Sequence, residues 1–288
     1  MITYIRKFIL TTLYKPYKSK YPTIIIGNLN VGGSGKTPFT IWLCNELMKK
    51  RKRIGIISSG YRSKIQKSLI VSKESLSIEV GDEAVLLKNM TDAVVVSGKC
   101  RVESTKLIER YDLDYIIHDD GLQHYQIGRD IELILDMDNK NNINTLLLPC
   151  GPYREIKSFH PESIYIKSNY YKKDFLGFFS RIANVYSCEK KDYLAITDKT
   201  FKKINLLTGI ADTSLIISEL KSHNIDIIEH SFRDHHQFSA SDLPNNGLPI
   251  LITEKDYVKI KNISTVNIFV LGQSLYPNEK LKNMVNKL

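Results

Sequence analysis

Apolar residues along this chain fall into short runs, each closed by a polar or glycine-bearing turn. Thr23-Ile24-Ile25-Ile26, opened by Pro22, reads as a buried strand, and the spacing of Phe39, Ile41, Trp42, Leu43 and Leu47 predicts a helix from Pro38 to about Lys50. Strands follow at 53–58 and 93–96, a helix at 99–110, a strand at 114–117, and further strands at 131–136 and 162–167. Residues 170–195 carry aromatic and basic side chains with no clear period. The rhythm resumes with strands at 204–209, 225–229, 249–252 and 266–270 and a helix near 212–223.

Short apolar strands alternating with helices imply βαβ units and a mostly parallel sheet. The expected fold is α/β: a P-loop NTPase-like, mostly parallel sheet with helices on both faces, plus a smaller C-terminal α/β lobe. The expected organisation is a basic amphipathic segment at 1–20, a phosphate-loop core at 21–170, an inter-lobe bridge at 171–195 and the second lobe at 196–288. Ligands in such sheets bind at the carboxyl ends of the strands.

The strand at 23–26 runs into Gly27-Asn28-Leu29-Asn30-Val31-Gly32-Gly33-Ser34-Gly35-Lys36-Thr37-Pro38. Gly32, Gly33 and Gly35 let successive amides, with that of Ser34, turn toward phosphate oxygens, and the next helix adds its positive end. Lys36 then reaches the outer phosphates and Thr37 holds Mg²⁺. Position 30, where the usual motif starts with glycine, is Asn, a residue that tolerates left-handed backbone. Asp119-Asp120 ends an apolar strand, the place of a metal-binding acid in a phosphate-loop protein. A turn or helix cap is its simpler use, and the sequence does not say which Asp does which job.

Three further groups draw notice. Gly81-Asp82-Glu83, taken alone, is a helix cap with acidic first turn. Asp234-His235-His236 offers acid–base or orienting chemistry near neutral pH, but no metal-ligand spacing. Arg154, on a Pro/Gly turn, suits developing phosphoryl charge or a surface ion pair.

Composition adds charge. Over 288 residues, 41 Lys+Arg against 31 Asp+Glu give +10, which favours an anionic partner or a lysine-rich exterior. Cysteines 44, 100, 150 and 188 form no C-x-x-C, so zinc is not expected and a reduced setting fits. No apolar run approaches the roughly 20 residues that span a bilayer. In residues 1–20, Ile2, Ile5, Ile9 and Leu13 fall at roughly helical spacing with Arg6, Lys7, Lys15, Lys18 and Lys20 among or just after them, as in a helix on a membrane surface or one packed on the protein's own core.

In order, IIGNLNVGGSGKTP, SSGYRSK, GDEAVLL, HDDGLQHYQIGRDIELILD, LLPCGPYRE, LLTGIAD, FRDHHQFSASDL and LITEKDYVK resemble the tetraacyldisaccharide 4′-kinase family of Gram-negative bacteria over residues 21–260. The family's loop also lacks the first glycine. The resemblance implies a two-lobed kinase using ATP and Mg²⁺. Its acceptor would be the lipid A disaccharide 1-phosphate precursor, at the anionic cytoplasmic face of the inner membrane. It implies Asp82 as the base, His235 as its partner from the other lobe, and Lys36 and Thr37 as the loop pair. Asp119 and Asp120 become the metal-side acids and Arg154 the phosphate-facing arginine, with Glu83, Gln123 and His124 at further motif positions. The family usually reads S-R-G-Y where this chain has Ser58-Ser59-Gly60-Tyr61, and Arg62 follows. Phe175 to Phe179 is a candidate acyl contact.

Two other classes share a phosphate loop. A guanine-reading accessory NTPase would carry N/T-K-x-D, whereas Thr253-Glu254-Lys255-Asp256 has its lysine one place late. A nucleic-acid-dependent ATPase would show a basic stripe interleaved with stacking aromatics, which is missing between these motifs, so no nucleic-acid partner is expected.

Overall fold

The computed structural model describes residues 15–137, 146–169, 174–210, 213–234, 236–260 and 267–288. Its strands are β1 (Thr23–Gly27), β2 (Ile54–Ser58), β3 (Leu69–Ile70), β4 (Val94–Ser97), β5 (Tyr115–His118), β6 (Ile131–Met137), β7 (Ile164–Ser168), β8 (Gly177–Ser187), β9 (Tyr193–Leu194), β10 (Lys203–Thr208), β11 (Asp226–Ser231), β12 (Ile250–Thr253) and β13 (Ile268–Pro277). Its α-helices are α1 (Lys36–Lys49), α2 (Ser77–Val80), α3 (Asp82–Met90), α4 (Arg101–Ile108), α5 (Ser214–Ser222), α6 (Glu254–Tyr257) and α7 (Glu279–Asn286).

All the described strands join one sheet in the order β11-β10-β12-β13-β8-β7-β6-β1-β5-β2-β4-β3, with β9 beside β8. Within each half the neighbours run parallel, from β7 to β4 and from β11 to β13. The expected α/β class is therefore what the chain adopts. Fully apolar runs such as Ile24-Ile25-Ile26 are buried on both faces, as a covered parallel sheet requires.

Within the aromatic stretch with no period, Gly177–Ser187 forms β8, paired antiparallel with β13 from Phe178–Pro277 to Ser187–Phe269. This ribbon joins the two parallel halves. Phe178 at one end is buried in the core around α1, and Val185 at the other in the core under β10 and β12. A strand that crosses between two cores changes its buried face midway, so it shows no single repeat.

The sequence reading assigns no element to 279–286. There α7 returns to the first half and buries Leu281 and Val285 in the same core as Leu43 and Leu47 of α1. Lys50 Nζ donates to the Val285 carbonyl at 2.6 Å, and Tyr115 Oη to that of Leu288 at 2.6 Å. Residues 1–14 lie outside the described part, and with them most of the basic amphipathic segment. Its end is tied down, since Tyr17 N donates to Gln126 O and Gly128 N to Tyr17 O, both at 2.8 Å.

Candidate active site

The loop between β1 and α1 is held by its flanks. At Gly27 a side chain has no room, because a Cβ there would come within 2.4 Å of Leu122 Cβ and 3.2 Å of its amide nitrogen. Strand end and the 121–124 turn thus pack backbone to backbone, and Gln123 Nε2 adds a 3.3 Å bond to Asn28 O. Gly35 caps α1 in the left-handed region, at φ 76°, where glycine carries no steric penalty. Phe178 sits beneath it, 3.6 Å from where a Cβ would stand, and stacks on Phe39 at 5.4 Å. Phe178 is therefore core supporting the loop, and Phe179 stacks on Tyr276. Of the expected acyl stretch, Phe175 is the large exposed side chain.

Asn30 needs no left-handed backbone. It pairs in an antiparallel bridge with Tyr153 and is absent from the positive-φ positions. The expectation that Asn merely tolerates a strained turn is corrected: the loop starts as an extended segment docked against residues 152–155. Val31 N donates to Pro152 O at 2.7 Å, and Arg154 N to Leu29 O at 2.6 Å. This docking carries Arg154 to the site.

Four charged side chains converge there. Lys36 Nζ lies 3.5 Å from Asp120 Oδ1 and 3.2 Å from Asn28 Oδ1. Arg154 Nη1 lies 3.5 Å from Asp120 Oδ2. Asp119 accepts from Thr40 Oγ1 at 3.0 Å and from Thr37 Oγ1 at 3.4 Å. Burial, then the charges of Glu83 and Asp120, pushes the Asp119 carboxyl up to about 7. Burial also opposes ionisation of Asp120, but Lys36, Arg154 and Arg101 together hold it below the usual carboxylate range.

The residues present suit a nucleotide with its divalent cation. Among the described residues Ser34 Oγ is buried without a hydrogen-bond partner, Asp120 Oδ1 is buried with only the Lys36 ion pair, and a Cβ at Gly32 or Gly33 would meet nothing within 4 Å. A cation shared by Thr37, Asp119 and Asp120 would neutralise carboxylates that burial and mutual repulsion disfavour.

Sequence reasoning missed the supports behind these groups. Arg101, at the start of α4, is 3 % exposed. Its guanidinium donates to Ile57 O at 2.6 Å, Asp119 O at 2.5 Å and Asp120 O at 3.4 Å. It clamps the ends of β2 and β5 and fixes the Asp119-Asp120 turn, where Asp120 has φ 51°. Burial lowers its affinity for the proton while Asp119, Asp120 and Glu83 act to raise it.

Glu155, next to Arg154, is anchored likewise. It accepts from Tyr125 Oη at 2.6 Å and faces His160 Nε2 at 2.7 Å, while His160 Nδ1 faces Glu132 Oε1 at 2.7 Å. Ser163 and Arg129 complete the shell around Glu132. Burial opposes ionisation of Glu132, yet its hydrogen bonds with His160 and Ser163 and the Arg129 charge pull it down to about 2. Burial alone would lower His160; Glu132 and Glu155 raise it above its ordinary value. The His-Glu pairings span 5 and 28 residues, so no local spacing announces them.

Asp82 opens α3 after Gly81 and is 5 % exposed. Glu83 beside it lies 3.5 Å from Lys255 Nζ, which comes from the other half of the sheet. Arg62 Nη1 donates to Asp234 O at 2.6 Å, so the arginine after Ser58-Ser59-Gly60-Tyr61 also crosses between halves. His124 sits on the 121–124 turn, its amide on Gly121 O and its carbonyl taking Arg129. His235 lies outside the described residues. His236 is engaged structurally, stacked on Phe232 at 4.6 Å with Nε2 3.2 Å from Asp242.

The chain is similar to known proteins along its whole length. The family model described as tetraacyldisaccharide-1-P 4′-kinase matches residues 1–288. A tetraacyldisaccharide 4′-kinase of Coxiella burnetii (strain CbuK_Q154) is 33 % identical over 286 residues, covering 94 % of this chain and 82 % of its own. That of Wigglesworthia glossinidia brevipalpis is 34 % identical over 285 residues, covering 94 % and 76 %. A crystal structure described as an "apo" form of LpxK from Aquifex aeolicus in complex with ATP superposes with a TM-score of 0.82 at 26 % identity, covering 99 % of this chain and 94 % of that one.

Proposed function

The chain belongs to the tetraacyldisaccharide-1-P 4′-kinase family, and from that premise we propose how its own residues carry the reaction. It is an ATP-dependent kinase that phosphorylates the 4′-hydroxyl of a tetraacylated glucosamine disaccharide 1-phosphate in lipid A biosynthesis. ATP is the donor, with Mg²⁺.

The observation that supports the residue roles best is the meeting of Lys36, Arg154, Asp119 and Asp120 beside the phosphate loop. The loop amides and Lys36 grip the outer phosphates of ATP. Thr37, Asp119 and Asp120 would hold Mg²⁺, which would draw charge from the phosphate oxygens. Arg154 faces charge that develops as the bridging bond breaks. Asp82 takes the proton of the sugar hydroxyl as its oxygen bonds to the γ-phosphorus, and ADP leaves with the bond electrons. His235 serves as the partner of Asp82, and Gln123 braces the loop through the Asn28 carbonyl. Phosphoryl transfer needs this positioning and charge neutralisation more than covalent help.

The acylated acceptor places the work at a membrane. Among the described residues no helix is long and apolar enough to cross one. We place the protein peripherally at the cytoplasmic face of the inner membrane, drawn there by its +10 charge and the anionic lipid surface.

Radiolabelled ATP with the tetraacylated disaccharide 1-phosphate in detergent tests the assignment, with Asp82→Ala and Lys36→Ala as controls. Labelled lipid with the wild type alone is the expected result. Free labelled phosphate without labelled lipid would make the protein an ATPase and overturn it.

A further inference from the structure

Thr253-Glu254-Lys255-Asp256 fails as a guanine motif, and the roles assigned above leave it unused. The fold nevertheless gives it a rigid setting. Thr253 Oγ1 accepts from Asp256 N at 3.1 Å and lies 2.8 Å from Asp256 Oδ2. Asp256 is fully buried: Oδ2 accepts from Gly209 N at 3.0 Å, and Oδ1 lies 2.6 Å from Lys259 Nζ, both side chains being 0 % exposed. The Arg233 carbonyl packs against the same point, 3.3 Å from where a Cβ on Gly209 would stand. The start of α6, the end of β10 and the backbone at Arg233 are thus brought together.

From this base Lys255 projects across to the first half. Its Nζ lies 3.5 Å from Glu83 Oε1 on α3 and 4.0 Å from Asp234 Oδ1 on the loop. Burial works against its charge, but Glu83, Asp82 and Asp234 hold the ammonium above its ordinary range. Two carboxylates, one from each half of the sheet, therefore flank one cation. An exposed ion pair would contribute little. This lysine is only 26 % exposed, and removing it would leave like charges facing one another at the joint.

We propose that Lys255 is a positioning residue for phosphoryl transfer: its cation ties the Asp82-Glu83 end of α3 to the Asp234 loop, so that base and loop meet in one geometry. This rests on the assignment of Asp82 as the base. Lys255 acts through these carboxylates and not on the nucleotide, so its loss should appear in kcat and not in the KM for ATP.

The experiment measures lipid phosphorylation by purified wild type, K255M, K255R, E83Q, D234N and the K255M/E83Q double variant, with thermal melts on each. K255M is expected to lose about 100-fold in kcat, its KM for ATP staying within about 3-fold, since an interaction used only in reaching the transition state spares ground-state binding. K255R should recover to within about 10-fold of wild type, and the double variant should fall well short of the product of the two single losses, as coupled residues do. Should K255M not fold, D234N carries the same prediction, a fall of about 10-fold at unchanged KM for ATP. Wild-type kcat in K255M or in D234N, a loss confined to the KM for ATP, or full additivity with E83Q would overturn the proposal. Failure of wild type itself to label lipid would overturn the kinase assignment instead.

Discussion

His160→Phe isolates the network behind Arg154. The substitution keeps an aromatic ring to stack on Tyr125, which lies 6.5 Å away between centroids. It removes the 2.7 Å contacts to both Glu132 and Glu155. Glu132 keeps Arg129 and Ser163, so the damage centres on Glu155, 2 % exposed and left with Tyr125. Breaking a buried ion pair by removing one partner costs about 3–5 kcal/mol. At about 2–4 °C per kcal/mol for a chain near this size, the melting temperature falls by about 10 °C. The loss has a pH signature. His160 binds its proton more tightly folded than unfolded. Its stabilisation is therefore fully present below the unfolded value of about 6.5 and fades as pH rises through the raised folded value. Urea unfolding of both proteins at about pH 6 and about pH 9.5 measures this. The gap between wild type and variant should be wide at the lower pH and narrow at the higher. A gap under about 1 kcal/mol at pH 6 would refute the buried network, being no more than an ordinary neutral hydrogen bond. A large gap that ignores pH would refute the imidazolium.

Other substitutions probe the remaining supports. Arg101→Met strips the donors from Ile57, Asp119 and Asp120 carbonyls; kcat should fall at least about 10-fold as the acidic turn loosens, read in the lipid-labelling assay. Gly27→Ala drives a methyl to within 2.4 Å of Leu122 Cβ, and overpacking of this kind costs about 1–3 kcal/mol by denaturant titration, with weaker ATP binding by calorimetry. Leu281→Ala empties a fully buried position of α7 against α1 and should cost about 2–5 kcal/mol in the same titration while sparing the KM for ATP.

Local signals in the sequence determined a good deal. A run of isoleucines, three close glycines and Lys36-Thr37 all fall within residues 24–37, so strand, loop and helix are legible without a partner. The acids at 119–120 stand out because an apolar strand must stop at them. The alternation of strands and helices likewise fixed the α/β class, since burial on both faces of a parallel strand writes itself into consecutive positions.

Tertiary structure decided the rest. The β8–β13 ribbon, the return of α7 onto α1, Arg101 on the Asp119-Asp120 turn, and Lys255 against Glu83 pair residues far apart in the chain; the last pair is separated by 172 positions. Each contact depends on the distance and burial of its two ends, and neither end carries a periodic mark of the other. Even Asn30 illustrates the division. The sequence told that glycine was missing, and only the docked Tyr153 showed that an extended backbone needs none.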